Sequence, residues 1–263
     1  TLPCELRALA RSNQKVVYDL LFKTSAAALQ KLARDPRFVG GDIALMGGLH
    51  TWRRDMRYHP HVHFIVPGGG LSPDRSQWLA SDPDFLVYVE ALSPIFRAKF
   101  RDALKETDLF DSAPAAVWNK GWVVHCKAVG NGTNALKYLA PYIYRVAITN
   151  NRIEKLEDDQ VTFRFKNSDT DQWESTTIPV FDFIHRFLQH VLPKGFVKIR
   201  YYGLLAPNNR HLLTVAKDLL GPVAEPSNTS NSNATLEKSL ICPHCGAGLL
   251  WVKPLPKSPR APP

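Results

Sequence analysis

The period of the apolar positions changes several times along the 263 residues, and each change marks an element. Val16, Val17, Leu20, Leu21, Ala28, Leu29 and Leu32 recur at three- and four-residue spacing, which predicts an amphipathic helix over residues 13–34. Gly40-Gly41 breaks it. Residues 42–54 (DIALMGGLHTWRR) and 59–67 (HPHVHFIVP) then read as strands, the second rich in β-branched and aromatic residues and ended by Gly68-Gly69-Gly70. Ser93 as N-cap with Pro94 at the first helical position predicts a helix over 93–106. Residues 121–129 read as a strand. After the turn Gly130-Asn131-Gly132, Thr133 or Asn134 caps a short helix to about Tyr144. Strands are predicted at 144–149, 160–166, 172–178 and 196–204. Helices are predicted at 180–192, closed by Pro193 and Gly195, and at 208–219. These strands lie too close together for repeated βαβ units. The expected class is therefore α+β, with a largely antiparallel sheet flanked by helices.

The pattern also divides the chain. Residues 1–220 read as one folded domain, residues 221–240 as a Ser/Asn-rich linker, and residues 241–263 as a cysteine knuckle with a proline-rich tail. No apolar run approaches the roughly 18 residues that a membrane-spanning helix needs, so no membrane partner is expected. The N-terminus has no basic flank followed by an apolar stretch and so does not read as a secretory signal. It also lacks an initiator Met, which reads as a truncated chain. Four cysteines are too few for a disulfide scaffold and point to a reducing, cytoplasmic compartment.

Charge narrows the class of partner. Lys and Arg number 33 against 24 Asp and Glu, a formal net charge of +9 with a pI near 9.4, and this favours phosphate-rich surfaces. The arginines cluster at Arg53, Arg54 and Arg57, just before a His-rich strand. A second basic group, Arg97, Lys99 and Arg101, falls on a predicted helix.

Three groups of residues carry candidate chemistry. In His59-Pro60-His61-Val62-His63, alternate strand residues share a face, so the imidazoles point one way while Val62 and Phe64 point the other. Two neutral imidazoles two residues apart can grip one divalent cation. His61 and His63 are the preferred pair, with His59 as a supporting group, because Pro60 confines that end to an edge or a strand start. Phe64-Ile65-Val66 follows, where a dinuclear hydrolase would want Asp-His. His50 or His125 could complete a metal site if its strand adjoins that of His61. Tyr138 and Tyr142 form the second group, four residues apart on one helix face, bracketed by Lys137 and Arg145. A phenol with a pKa of about 10 becomes a useful nucleophile where cations and a metal stabilise it. The third group is Cys242-Pro243-His244-Cys245-Gly246, half of a zinc knuckle. Chance supplies roughly 0.3 His-x-His pairs in a chain of this composition, so no single group decides the function.

Three blocks in order are more specific. LHTWRRDMRYHPHVHFIVPGGG, ALKYLAPYIYRVAITNNRI and FLQHVLPKGFVKIRYYGLL together resemble the two-tyrosine HUH transposases of rolling-circle insertion sequences, including the common-region elements. The resemblance covers about residues 1–220 and omits that family's N-terminal zinc-binding region. It implies a ferredoxin-like antiparallel sheet in which His61 and His63 hold Mg²⁺ or Mn²⁺, with Asn134 or His50 as third ligand. It further implies Tyr138 and Tyr142 as nucleophiles that form a 5′-phosphotyrosine, without a nucleotide cofactor. The implied partner is single-stranded DNA at element ends and target, contacted by Arg53, Arg54, Lys137 and Arg145. Zn²⁺ would sit at Cys242 and Cys245, and the implied location is the nucleoid of a bacterial cytoplasm. A rolling-circle replication initiator or relaxase shares this chemistry. A non-catalytic DNA-binding zinc protein is the rival from another class.

Overall fold

The long N-terminal apolar repeat folds as a helix, preceded by a short one. In a computed structural model that describes residues 1–130, 132, 147–167 and 169–222, α1 (Arg7–Ser12) leads into α2 (Gln14–Ala33). The described residues belong to one compact unit, Thr1–Pro222. Val17, Tyr18, Leu21, Phe22, Leu29 and Leu32 of α2 are buried at helical spacing, while Val16 faces solvent. Helix α3 (Val89–Lys105) packs on α2 through Leu92, Phe96, Phe100 and Leu104.

Two strands carry the principal sheet's functional face. β1 (Ala44–Trp52) pairs antiparallel with β2 (Tyr58–Ile65), and also with β8 (Ile199–Gly203), giving the order β2-β1-β8. Leu45 and Leu49 of β1, with Tyr58, Val62 and Phe64 of β2, join the core beneath α2. The alternation predicted for the histidine strand follows, and His59, His61 and His63 take the other face. β2 is an edge strand, a position that tolerates Pro60, and the Pro60 carbonyl accepts a hydrogen bond from the Leu2 backbone N–H at 3.0 Å. Gly47 permits close packing on the core side: a Cβ there would lie 2.6 Å from Phe64 Cε1 and 3.2 Å from Phe22 Cε1.

A second antiparallel sheet, β5 (Ile153–Glu157), β6 (Gln160–Lys166) and β7 (Trp173–Pro179), has its own small core of Val161, Phe163 and Ile178, with Met56 and Ile148. Helix α4 (Val180–Leu188) covers it through Val180 and Phe183. A hairpin of β3 (Gly69–Leu71) and β4 (Trp78–Ala80) and the helix α5 (Arg210–Leu220) complete the described elements; Leu71 and Ala216 share a cluster with Ala44 and Leu204. The architecture is α+β, with antiparallel sheets flanked by helices, consistent with an HUH-like fold. No helix among the described residues is long and apolar enough to cross a membrane.

Several boundaries differ from expectation for identifiable reasons. Helix α3 begins four residues before Ser93, with Tyr88 as N-cap, because burying Leu92 extends the apolar stripe by one turn. Pro94 therefore lies inside the helix, where it deprives only the exposed Glu90 of an intrahelical partner. Ser93 is recruited elsewhere: its hydroxyl donates to the Trp122 carbonyl at 2.6 Å and accepts from the Trp122 N–H at 3.0 Å. That anchoring replaces the strand predicted at 121–129, a segment in which Val123 is exposed and no ladder forms. Helix α4 stops at Leu188 rather than 192. Residues 147–149 form no strand, and β5 is unanticipated. The predicted helix after Gly132 and residues 223–263, which include most of the expected linker and all of the knuckle, lie outside the described residues.

Candidate active site

Strand register brings three imidazoles to one place. His50 of β1 stands opposite His61, and Gly48 stands opposite His63, so His50, His61 and His63 share the sheet face away from α2. Ring centroids lie 4.5 Å apart for His50–His63, 4.8 Å for His61–His63 and 5.3 Å for His50–His61. One ligand atom from each lies within 4.8 Å of the others, close enough for all three to reach a single ion. His50 is buried and stacks on Trp52 at 5.2 Å.

The protonation states suit a metal. Burial, reinforced by the neighbouring His63, holds His61 well below the ordinary imidazole pKa. Burial lowers His63 to about 4. Both rings are therefore neutral near pH 7, the form that binds metal. His61 Nδ1–H donates to the His59 carbonyl at 2.6 Å, which leaves Nε2 as its ligand atom. His59 stands outside the triad. Its Nδ1 accepts from Arg7 Nη2 at 2.7 Å, and burial, then Arg7 and Arg53, lowers it to about 4. The donor set fits a divalent transition ion: three imidazole nitrogens suit Mn²⁺ or another borderline cation better than the oxygen-seeking Mg²⁺.

The triad opens into a cleft of about 630 Å³. Arg53 and Arg54, on the β1–β2 turn, line it, as do Ala147, Ile148, Thr149, Arg152, Lys166 and Trp173 from the second sheet and its approach. The turn is tight. Arg53 N–H donates to the Arg57 carbonyl at 2.9 Å, and the buried Met56 adopts φ +65°, a left-handed conformation unusual for its type. Arg152 joins the two walls, donating from Nη2 to the Arg54 carbonyl at 2.5 Å and from Nε to the Arg164 carbonyl at 2.8 Å. Lys198 lies 5.1 Å from the Trp52 ring centre, and burial lowers its pKa.

Of the residues singled out in the sequence, His50, His61, His63, Arg53 and Arg54 converge on this cleft. His125 is exposed on the unpaired segment and takes no part. His190 ties the β1–β2 turn to the segment after α4: its Nε2–H donates to the Met56 carbonyl at 2.9 Å and its Nδ1 accepts from the Thr51 hydroxyl at 3.2 Å. Trp122 is core, and Trp118 packs against it. Asn134, Lys137, Tyr138, Tyr142, Arg145, Cys242 and Cys245 lie outside the described residues. Sequence reasoning missed Arg152, Lys166 and Trp173. The signal was present in the alternation of FRFK and WEST, which sets Arg164, Lys166 and Trp173 opposite the buried Phe163.

Comparison with known proteins shows the family. Residues 45–211 match the family model Y2_Tnp, described as "Putative transposase". The chain belongs to this family. It is 40% identical over 251 residues to "Putative transposase y4qJ" of Sinorhizobium fredii, covering 87% of this chain and 63% of that protein. It is 28% identical over 222 residues to the transposase for insertion sequence element IS801 of Pseudomonas savastanoi pv. phaseolicola, covering 78% of this chain and 53% of that protein. The chain thus spans less than two thirds of the length of either relative. No solved structure matches it. The matched span begins within β1 and contains His50, His61 and His63, together with Tyr138 and Tyr142.

Proposed function

We propose that this chain is the catalytic part of a rolling-circle transposase that cuts and rejoins single-stranded DNA through tyrosine. The observation that carries the reading is the group of three imidazoles on adjoining antiparallel strands, open to a cationic cleft. Arg53 and Arg54 hold the strand by its phosphates, and the triad lies beside the scissile one. A divalent cation at the triad would draw charge from that phosphate and ease attack at phosphorus. The Tyr138 phenol oxygen attacks, the bond from phosphorus to the 3′ oxygen breaks, and the phenol proton ends on the released 3′ oxygen. The products are a 5′-phosphotyrosine and a free 3′-OH. Tyr142 performs the matching transfer on the other strand. The cleaved bond's energy stays in the phosphotyrosine, so a later 3′-OH can attack it and release the phenol without a nucleotide cofactor. Ala147, which lines the cleft, stands five residues after Tyr142 in the chain.

The test is a denaturing gel with end-labelled single strands from the termini of the encoding element, in Mn²⁺. A 3′ label should travel with the protein and a 5′ label should be released on a shorter strand. Retention of the 5′ label, or cleavage that persists undiminished in His61→Ala, overturns the reading.

A further inference from the structure

We infer that the Trp173 indole, backed by the Arg164 guanidinium, is a stacking platform for one unpaired base of the DNA strand; this rests on the reading that the cleft receives single-stranded DNA. In the register of β6 and β7, Lys166 stands opposite Trp173 and Arg164 opposite Ser175, so these side chains share one face. The other face carries Val161, Phe163 and Ile178 into the core. The Trp173 face is otherwise polar, and the Thr162 and Thr177 hydroxyls bond across it at 2.8 Å. An indole left 59% exposed there adds nothing to the core and presents apolar surface to water.

Its surroundings specify the partner. Arg164 Cζ lies 5.3 Å from the ring centre, and the guanidinium is braced by donation from Nη2 to the Asn151 carbonyl at 3.3 Å. Trp173 lines the same cleft as the histidine triad, beside Lys166 and Arg54. Those two cations lie 2.6 and 3.6 Å from the Asp171 carboxylate, an anion that a backbone phosphate can replace. A flat aromatic surface flanked by cations fits a nucleobase and its phosphates, and stacking requires the base to be unpaired.

Fluorescence anisotropy of labelled single strands, without metal so that binding is separated from cleavage, tests the inference. Trp173→Ala should weaken binding by about 5- to 100-fold, and Trp173→Phe should retain most of the affinity. In the parent chain, removing bases one at a time should reveal one position whose loss costs as much as Trp173→Ala. In Trp173→Ala that abasic strand should bind no more weakly than the intact strand. Unchanged affinity in Trp173→Ala, or penalties that add at every position, overturn the platform. A chain that shows this coupling but forms no covalent adduct keeps the platform and loses the transesterification reading. A chain that forms adduct normally while Trp173→Ala changes nothing loses the platform alone. One that binds no single strand loses both.

Discussion

His61 is the residue on which the site's order depends. The hydrogen bond from its Nδ1–H to the His59 carbonyl fixes the ring, so the supporting contact comes from backbone and survives changes at the His59 side chain. Two substitutions separate ligand from support. His50→Gln should weaken Mn²⁺ binding by about 10- to 100-fold, as removal of a group that builds a metal site does, whereas His59→Gln should change it far less. Isothermal titration measures both, and equal losses would refute the proposal that His50 is the third ligand. Much of this was legible in advance. Period-two alternation put His61 and His63 on one face from sequence alone. His50 required knowledge of which strand lies beside which, and that is set by long-range packing on α2. Beneath the sheet, the Tyr18 and Tyr58 hydroxyls bond each other at 2.5 Å, and burial raises both pKa values. Tyr18→Phe leaves the buried Tyr58 hydroxyl without that partner and should cost roughly 1–3 kcal/mol in urea denaturation.

Among the elements, those whose periodicity is strong and local behaved as read: α2, β1, β2, β6, β7 and α5 lie within a few residues of expectation. The misreadings have physical sources. Residues 121–129 have strand composition, yet Ser93 and the Val117 carbonyl claim Trp122, which ties the segment to α3 rather than to a sheet edge. β5, with all five residues exposed, lacks the alternation that reveals a strand. The β1–α2 contact supplies its own test. Gly47→Ala forces a methyl against Phe64 and Phe22 and should destabilise the fold by about 1–3 kcal/mol, seen as a lower urea midpoint with little change in slope. An unchanged midpoint would mean that the sheet and helix accommodate the methyl without loss.

For the whole molecule, the surplus of positive charge becomes useful because part of it is gathered at the cleft that holds the triad. Single-strand affinity should fall linearly on a log–log plot against salt. Arg53→Ala with Arg54→Ala should reduce that slope by roughly 1.4, about 0.7 for each lost phosphate contact. A slope unchanged by the pair would place the DNA elsewhere. The strand transfer proposed for this member of the transposase family depends above all on the nucleophile. Peptide mass spectrometry of the protein–DNA adduct, after nuclease digestion, addresses it directly. The account predicts a nucleotide-bearing peptide modified at Tyr138 or Tyr142, lost in Tyr138→Phe/Tyr142→Phe and in His61→Ala. A modified Ser, Cys or other Tyr, or an adduct that survives the double substitution, would contradict it.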